Sequence, residues 1–185
     1  MRYPFAQLHS IRTERLLLRK LERSDIDSAA LIHGDPATNL HNPGGARSRE
    51  ATVAVVDDWV SFWERQHFGY WTVCAGDDDS QVLGFGGIMR KQIGDFTGLN
   101  MYFRFATHAW GNGYASEMAQ AALQVAFETL DEAAVYGLVR PANSPSRRAL
   151  ERMGMQLCST VDDVPGQEAS LIYRIIKEDF LNAVS

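Results

Sequence analysis

Between Thr97 and Tyr114 the hydrophobic rhythm of the chain changes, and the change falls on a pair of glycines. Over Thr97 to Ala106 the apolar Leu99, Met101, Phe103 and Phe105 alternate with Asn100, Tyr102 and Arg104, the period of a strand with two unlike faces. From Tyr114 onward Met118, Ala122, Val125 and Ala126 share one side of a helical spacing that runs to about Leu130. His108-Ala109-Trp110-Gly111-Asn112-Gly113-Tyr114-Ala115 lies between the two. Glycines let the backbone turn tightly, and the first helical turn after them has unpaired N–H groups and the positive end of the helix dipole. Such a turn can cradle a diphosphate. Asn112-Gly113 is also a favoured hairpin pair, but no alternation follows Tyr114, so the strand does not return on itself.

The remaining segments place this turn in a larger pattern. Leu16-Leu17-Leu18 reads as a short buried strand. Ser24-Asp25 begins a helix carrying Ile26, Ala29, Ala30 and His33, and Ser48 caps a second with Val53, Val56, Trp59, Val60 and Trp63 on one side. Asp35 to Arg47, rich in Pro, Gly and Asn, is a loop between them. Tyr70 to Ala75 and Gln81 to Met89 are strands joined by Gly76-Asp77-Asp78-Asp79-Ser80. After the long helix come a strand over Ala133 to Val139, a helix over Pro145 to Met153 closed by Gly154, and strands over Met155 to Val161 and Ser170 to Ile176. This order predicts a mixed α/β fold with one central, mostly antiparallel sheet of about seven strands flanked by about four helices. No linker or repeat divides the 185 residues, so one domain is expected over residues 1–185, with its core at about residues 12–180.

A second motif, Asn143-Ser144-Pro145-Ser146-Arg147-Arg148, follows the strand that ends at Val139. Ser144 as a cap with Pro145 in first position accounts for a helix start. It does not account for Arg147 and Arg148, since the dipole disfavours positive charge in a first turn by about 0.3–1 kcal/mol each. A nearby anionic ligand would reverse that penalty.

The net charge of −5 argues against nucleic acid as a partner. No apolar run approaches the roughly 18–20 residues of a membrane span, and Arg2, Arg12, Arg15 and Arg19 break up the amino terminus, so no signal peptide and a cytoplasmic location are expected. Cys74 and Cys158 are too few and too far apart for a metal site or a disulfide framework, and both read as buried, reduced thiols. No metal is expected.

Taken together, the two motifs resemble those of the GCN5-related N-acetyltransferase (GNAT) superfamily, in the branch typified by ribosomal-protein N-terminal acetyltransferases. Thr13-Glu14-Arg15-Leu16-Leu17-Leu18-Arg19 is similar to that branch's opening strand, and Leu83-Gly84-Phe85-Gly86-Gly87-Ile88 to a later one. His108 to Glu117 is similar to the pyrophosphate loop, with His108 where Gln or Arg is usual, and Asn143 to Met155 is similar to the second cofactor motif. The resemblance implies an enzyme that moves acetyl from acetyl-coenzyme A (acetyl-CoA) to a primary amine, of a small molecule or a protein N-terminus, by direct attack in a ternary complex. Backbone groups of Phe105, Ala106 and Thr107 would pair with the pantetheine arm, and His108 would open the loop. Amides of Gly111, Asn112, Gly113, Tyr114 and Ala115 would hold the pyrophosphate. Asn143 would contact the pantetheine or order a water, and Arg147 or Arg148 would meet the nucleotide phosphates. Ser146 would protonate the departing thiolate, and a strand amide near Phe105 would polarise the carbonyl.

Relatives often carry a Glu as base on the strand that here holds Leu99 and Asn100. Asn100 could hold a water instead, and Asp95, Glu168 and His41 are further candidates, each otherwise a solvated loop residue. The aromatic set Trp59, Trp63, Phe68, Tyr70 and Trp71 could receive an amine, though the helical spacing of Trp59 and Trp63 favours a core role. A noncatalytic acyl-CoA sensor is the rival function. A dinucleotide-dependent oxidoreductase fits poorly, because the glycines follow a late strand and Ser116 stands where a third glycine belongs. A monomer and a homodimer are both compatible with the sequence.

Overall fold

The computed structural model describes residues 3–183; the outermost two positions at each end, Arg2 among them, lie outside the described residues. The chain begins with β1 (Ser10–Arg12) and β2 (Leu16–Lys20), then α1 (Ile26–Gly34) and α2 (Arg49–Gln66). It continues through β3 (Tyr70–Ala75), β4 (Asp78–Ile93) and β5 (Phe96–Phe105) into α3 (Tyr114–Gln124), which a π-helical turn (Val125–Thr129) extends. β6 (Ala134–Val139), α4 (Ser144–Arg152), β7 (Gln156–Val161), β8 (Ser170–Ile176) and α5 (Lys177–Ala183) complete it. The strands form one sheet in the order β1-β2-β3-β4-β5-β6-β8-β7. Every neighbouring pair is antiparallel except β5 and β6.

The expected mixed α/β architecture is therefore present, with eight strands and five helices among the described residues. The short β1 and the terminal α5 are the additions; β1 has a single buried residue, Ile11, too short a period to read. Ser48 caps α2 by accepting from the Ala51 amide at 3.2 Å. At α4 the cap is Asn143, not Ser144, because the Asn143 Oδ1 reaches the Ser146 amide at 3.2 Å.

The alternation of β5 sorts its side chains as the sequence predicts. Leu99, Met101 and Phe105 are buried in the shared core with Met118 and Ala122 of α3. On the other face Tyr102 meets an aromatic group from α2 and β3, with its ring 5.0 Å from Tyr70 and 5.6 Å from Trp59. Trp59 and Trp63 are core residues, as their spacing suggests. Cys74 is buried, but Cys158 is exposed: β7 is the outermost strand, and its outer edge and most of its side chains face solvent.

Candidate active site

One interruption in the sheet creates the site. β5 and β6 run parallel and pair only at Leu99↔Val135 and Asn100↔Tyr136. Beyond those positions β5 continues to Phe105 and β6 to Val139 without pairing, and a cavity of about 760 Å³ opens between them. One wall is Met101 to Phe105, and the other is Leu138 to Arg140 with Asn143, Ser146 and Leu150. The segment from Pro36 to Pro43, in the loop between α1 and α2, closes over the top.

Backbone direction follows from the ladder. The Ala106 amide donates to the Leu83 carbonyl across the β4 side at 2.9 Å. Alternation then turns the amides of Phe105, Phe103 and Met101 toward the cavity. Among the three residues expected to pair with a pantetheine arm, Ala106 is thus engaged within the sheet, and the Phe105 carbonyl accepts from the Trp110 Nε1 at 2.9 Å. Phe103 and Phe105 offer the open N–H groups, and Trp110 lines the mouth.

The glycine turn lies at that mouth. Gly111 and Gly113 adopt φ of 77° and 78°, which a branched L-residue occupies only with strain. A Cβ added at Gly111 would meet nothing within 4 Å, so the space beside the turn is open. The Asn112 side chain folds inward, donating to the carbonyls of Ala109 and Trp110 at 3.2 and 3.1 Å. Gly113 then leads into α3, whose first-turn amides at Tyr114, Ala115 and Ser116 precede the first helical bond, from Glu117 to the Gly113 carbonyl. His108 is exposed ahead of the loop.

Sequence reasoning missed a clasp beside this loop. The Glu117 carboxylate accepts from Thr13 Oγ1 at 2.5 Å, the Arg15 amide at 2.7 Å and Arg15 Nε at 2.8 Å. Arg15 also donates to the Asn112 carbonyl at 2.8 Å and lies 5.0 Å from the centre of the Tyr114 ring. Burial pushes the Glu117 carboxyl upward, but the bonds from Thr13 and Arg15 together outweigh it and hold the group below the usual range. The clasp fixes a guanidinium next to the N-terminal end of α3.

The other predicted site residues divide. Asn143 and Ser146 line the cavity. Arg147 is turned toward Tyr173 Oη and the Pro141 carbonyl, at 3.3 Å each, while Arg148 is exposed. Asn100 is a correction. It stands where β5 is still paired with β6, is buried, donates to Tyr70 Oη at 3.2 Å, and is not among the residues that line the cavity. Of the candidate bases, His41 lines the cavity, Glu168 lines a smaller adjoining pocket of about 220 Å³ that shares His41 and Arg140 with it, and Asp95 occupies the exposed turn between β4 and β5.

Arg104, Arg140 and Asp163 line the cavity and were not singled out from sequence. Arg140 is neutralised by Asp163 at 3.4 Å and also donates to Ser170 Oγ at 3.0 Å. Arg104 donates to Asn39 Oδ1, and its neighbour Tyr102 contacts His33 Nε2 through its hydroxyl at 3.3 Å. His33 is fully buried; burial first, then the charges of Arg104 and Arg47, pushes its pKa down from 6.5 to about 3. It is a neutral imidazole throughout the physiological range.

Residues 15–156 match the family model described as an acetyltransferase (GNAT) domain. The chain belongs to the GNAT acetyltransferase family. It is 30% identical to the uncharacterised protein YkkB of Bacillus subtilis (strain 168) over 154 residues, 80% of this chain and 86% of that one. A crystal structure of an acetyltransferase from Agrobacterium tumefaciens str. C58 superposes with a TM-score of 0.74 at 26% identity, covering 90% of this chain and 93% of that chain. The ribosomal-protein-S5-alanine acetyltransferase of Vibrio fischeri shares the fold, with a TM-score of 0.73 at 14% identity over 92% of this chain and 98% of that one. Among the described residues no helix is long and apolar enough to cross a membrane, and no group of His, Cys, Asp or Glu is arranged to hold a metal.

Proposed function

We propose that this GNAT chain, acting as one acetyltransferase domain, moves acetyl from acetyl-CoA to a primary amine of a small molecule or protein N-terminus within a ternary complex. The observation that carries this reading is the unpaired edge of β5, which runs from a glycine turn with free amides into a cavity lined by Ser146 and His41. Those groups fit a long, thin, anionic cosubstrate: the amides of Gly111 to Ala115, with Arg15 beside them, suit its pyrophosphate, and the Phe103 and Phe105 amides suit its arm. Acetyl-CoA supplies an activated acyl group as its thioester. The amides on the open edge of β5 stabilise negative charge that develops on the acyl oxygen. As the amine nitrogen bonds to the acyl carbon and the carbon–sulfur bond breaks, His41 takes the proton leaving nitrogen, Ser146 Oγ supplies one to sulfur, and the proton on His41 returns through water to restore the Ser146 hydroxyl. Holding both reactants in one cavity contributes much of the rate.

Calorimetric titration with acetyl-CoA, with NADH as control, tests the reading, followed by an amine screen that reads release of the free thiol. Binding of acetyl-CoA alone, lost when Gly111 or Gly113 becomes Val, is expected. A folded protein that binds no acetyl-CoA would refute the reading, and one that binds it but acetylates no amine would leave only an acyl-CoA sensor.

A further inference from the structure

Resting on that acetyl-transfer reading, we infer that the acceptor carries a carboxylate beside its amine, and that Arg104, supported by Arg47, receives it. Arg140 has its counter-ion in Asp163. Arg104 has none: its hydrogen-bond partners, the amide oxygen of Asn39 and the hydroxyl of Tyr102, are neutral. Arg47 lies on the far side of the His33 ring, with Nη1 at 3.4 Å from Nδ1, and the loop that holds it is pinned by its own amide to the His33 carbonyl at 2.9 Å. Among the described residues neither guanidinium has a carboxylate within ion-pair distance. Both are half-buried, and they share one small region around Tyr102 and the neutral His33.

Two half-buried like charges without a counter-ion oppose folding unless the site serves an anion. The location separates this anion from the cosubstrate. Arg104 is on the polar face of β5, against Asn39 in the α1–α2 loop, whereas the glycine turn and Arg15 lie past the end of β5 at the start of α3. The planar guanidinium of Arg104 keeps further N–H donors beyond the one given to Asn39, and a fork of this kind suits a carboxylate.

The same charges bear on the amine. A positive field disfavours the ammonium form and so favours the neutral nitrogen that attack requires. An acceptor with several ammonium groups would meet repulsion from Arg104 and Arg47, which argues against polycations. The acceptor class is therefore an amino acid or a similar amino-carboxylate.

Matched triplets test this: an amino acid, its carboxamide and its decarboxylated amine, run across the common amino acids alongside spermidine, with thiol release followed at fixed acetyl-CoA. At least one free acid is expected to exceed its carboxamide and its amine by about 10-fold or more in kcat/KM. In Arg104→Gln the KM for that acid should rise about 10- to 100-fold and the acid-to-carboxamide ratio should fall to about 1, with partial recovery in Arg104→Lys. Calorimetric affinity for acetyl-CoA should stay within about twofold in both variants. Carboxamides or amines that match the acids, spermidine as the preferred acceptor, or acetyl-CoA binding with no acid acetylated would each overturn the inference. Failure to bind acetyl-CoA would instead remove the transferase reading beneath it.

Discussion

Acid should destabilise this protein through His33 more steeply than its carboxylates alone would. The folded state holds the imidazole near a pKa of about 3 and the unfolded chain returns it to 6.5. Between those values the unfolded chain binds one more proton, so stability falls as pH falls, by about 1.4 kcal/mol per unit. At about pH 4.5, two units below the unfolded value, His33 alone removes about 2.7 kcal/mol, a sizeable part of the roughly 5–15 kcal/mol of an ordinary domain. The cause is the site itself: the ring is sealed under Trp59 and Phe85, whose centroids lie 5.6 and 6.0 Å away, and faces two guanidinium groups. Urea unfolding of the wild type and His33→Gln at about pH 7.5 and about pH 4.5 isolates the effect, because other titrating groups cancel in the difference. The variant should lose about 2–3 kcal/mol less than the wild type over that interval. Parallel pH dependences for the two proteins would show that His33 stays accessible to protons in the folded state, and the reasoning about its burial would be wrong.

Other perturbations follow from the same geometry. Gly113→Val forces a branched residue to φ near 78° and should weaken acetyl-CoA binding by about 10-fold or more, read by calorimetry. Ser146→Ala should lower kcat by about 100-fold while leaving the acetyl-CoA dissociation constant unchanged; an unaltered kcat removes Ser146 from proton transfer. Glu117→Ala leaves Thr13 and Arg15 without their acceptor and should lower stability by about 2–4 kcal/mol in urea unfolding. In a thiol-reactive dye assay Cys158 should react at once and Cys74 only after unfolding, with Cys158→Ser retaining full turnover; loss of turnover would reopen a covalent route.

Local chemistry was legible in the sequence, and depth was not. The cap at Ser48, the left-handed residue Gly154 and the glycine turn each depend on residues within a few positions of one another. The alternation of β5 correctly placed Asn100, Tyr102 and Arg104 on one face. It could not say that Asn100 stands in the paired part of the strand and Arg104 in the open part, since that depends on where β6 leaves the ladder. Arg104 and Arg47 gain meaning only when the α1–α2 loop folds over β5, a contact between positions far apart in the chain. Cys158 sits among apolar or small residues in sequence, between Leu157 and Ser159, yet β8 inserts between β6 and β7, and β7 is left at the rim.

The separation of β5 from β6 also changes how this sheet must be protected. Unpaired strand edges normally lie at the outside of a sheet, where they invite pairing with other chains. Here an edge lies inside the sheet, with five strands on one side of the opening and three on the other, walled by α4 and roofed by the α1–α2 loop. Its place inside the sheet shields that edge from other chains, and on the proposed reading a narrow, flexible guest with amide groups of its own would complete the ladder there.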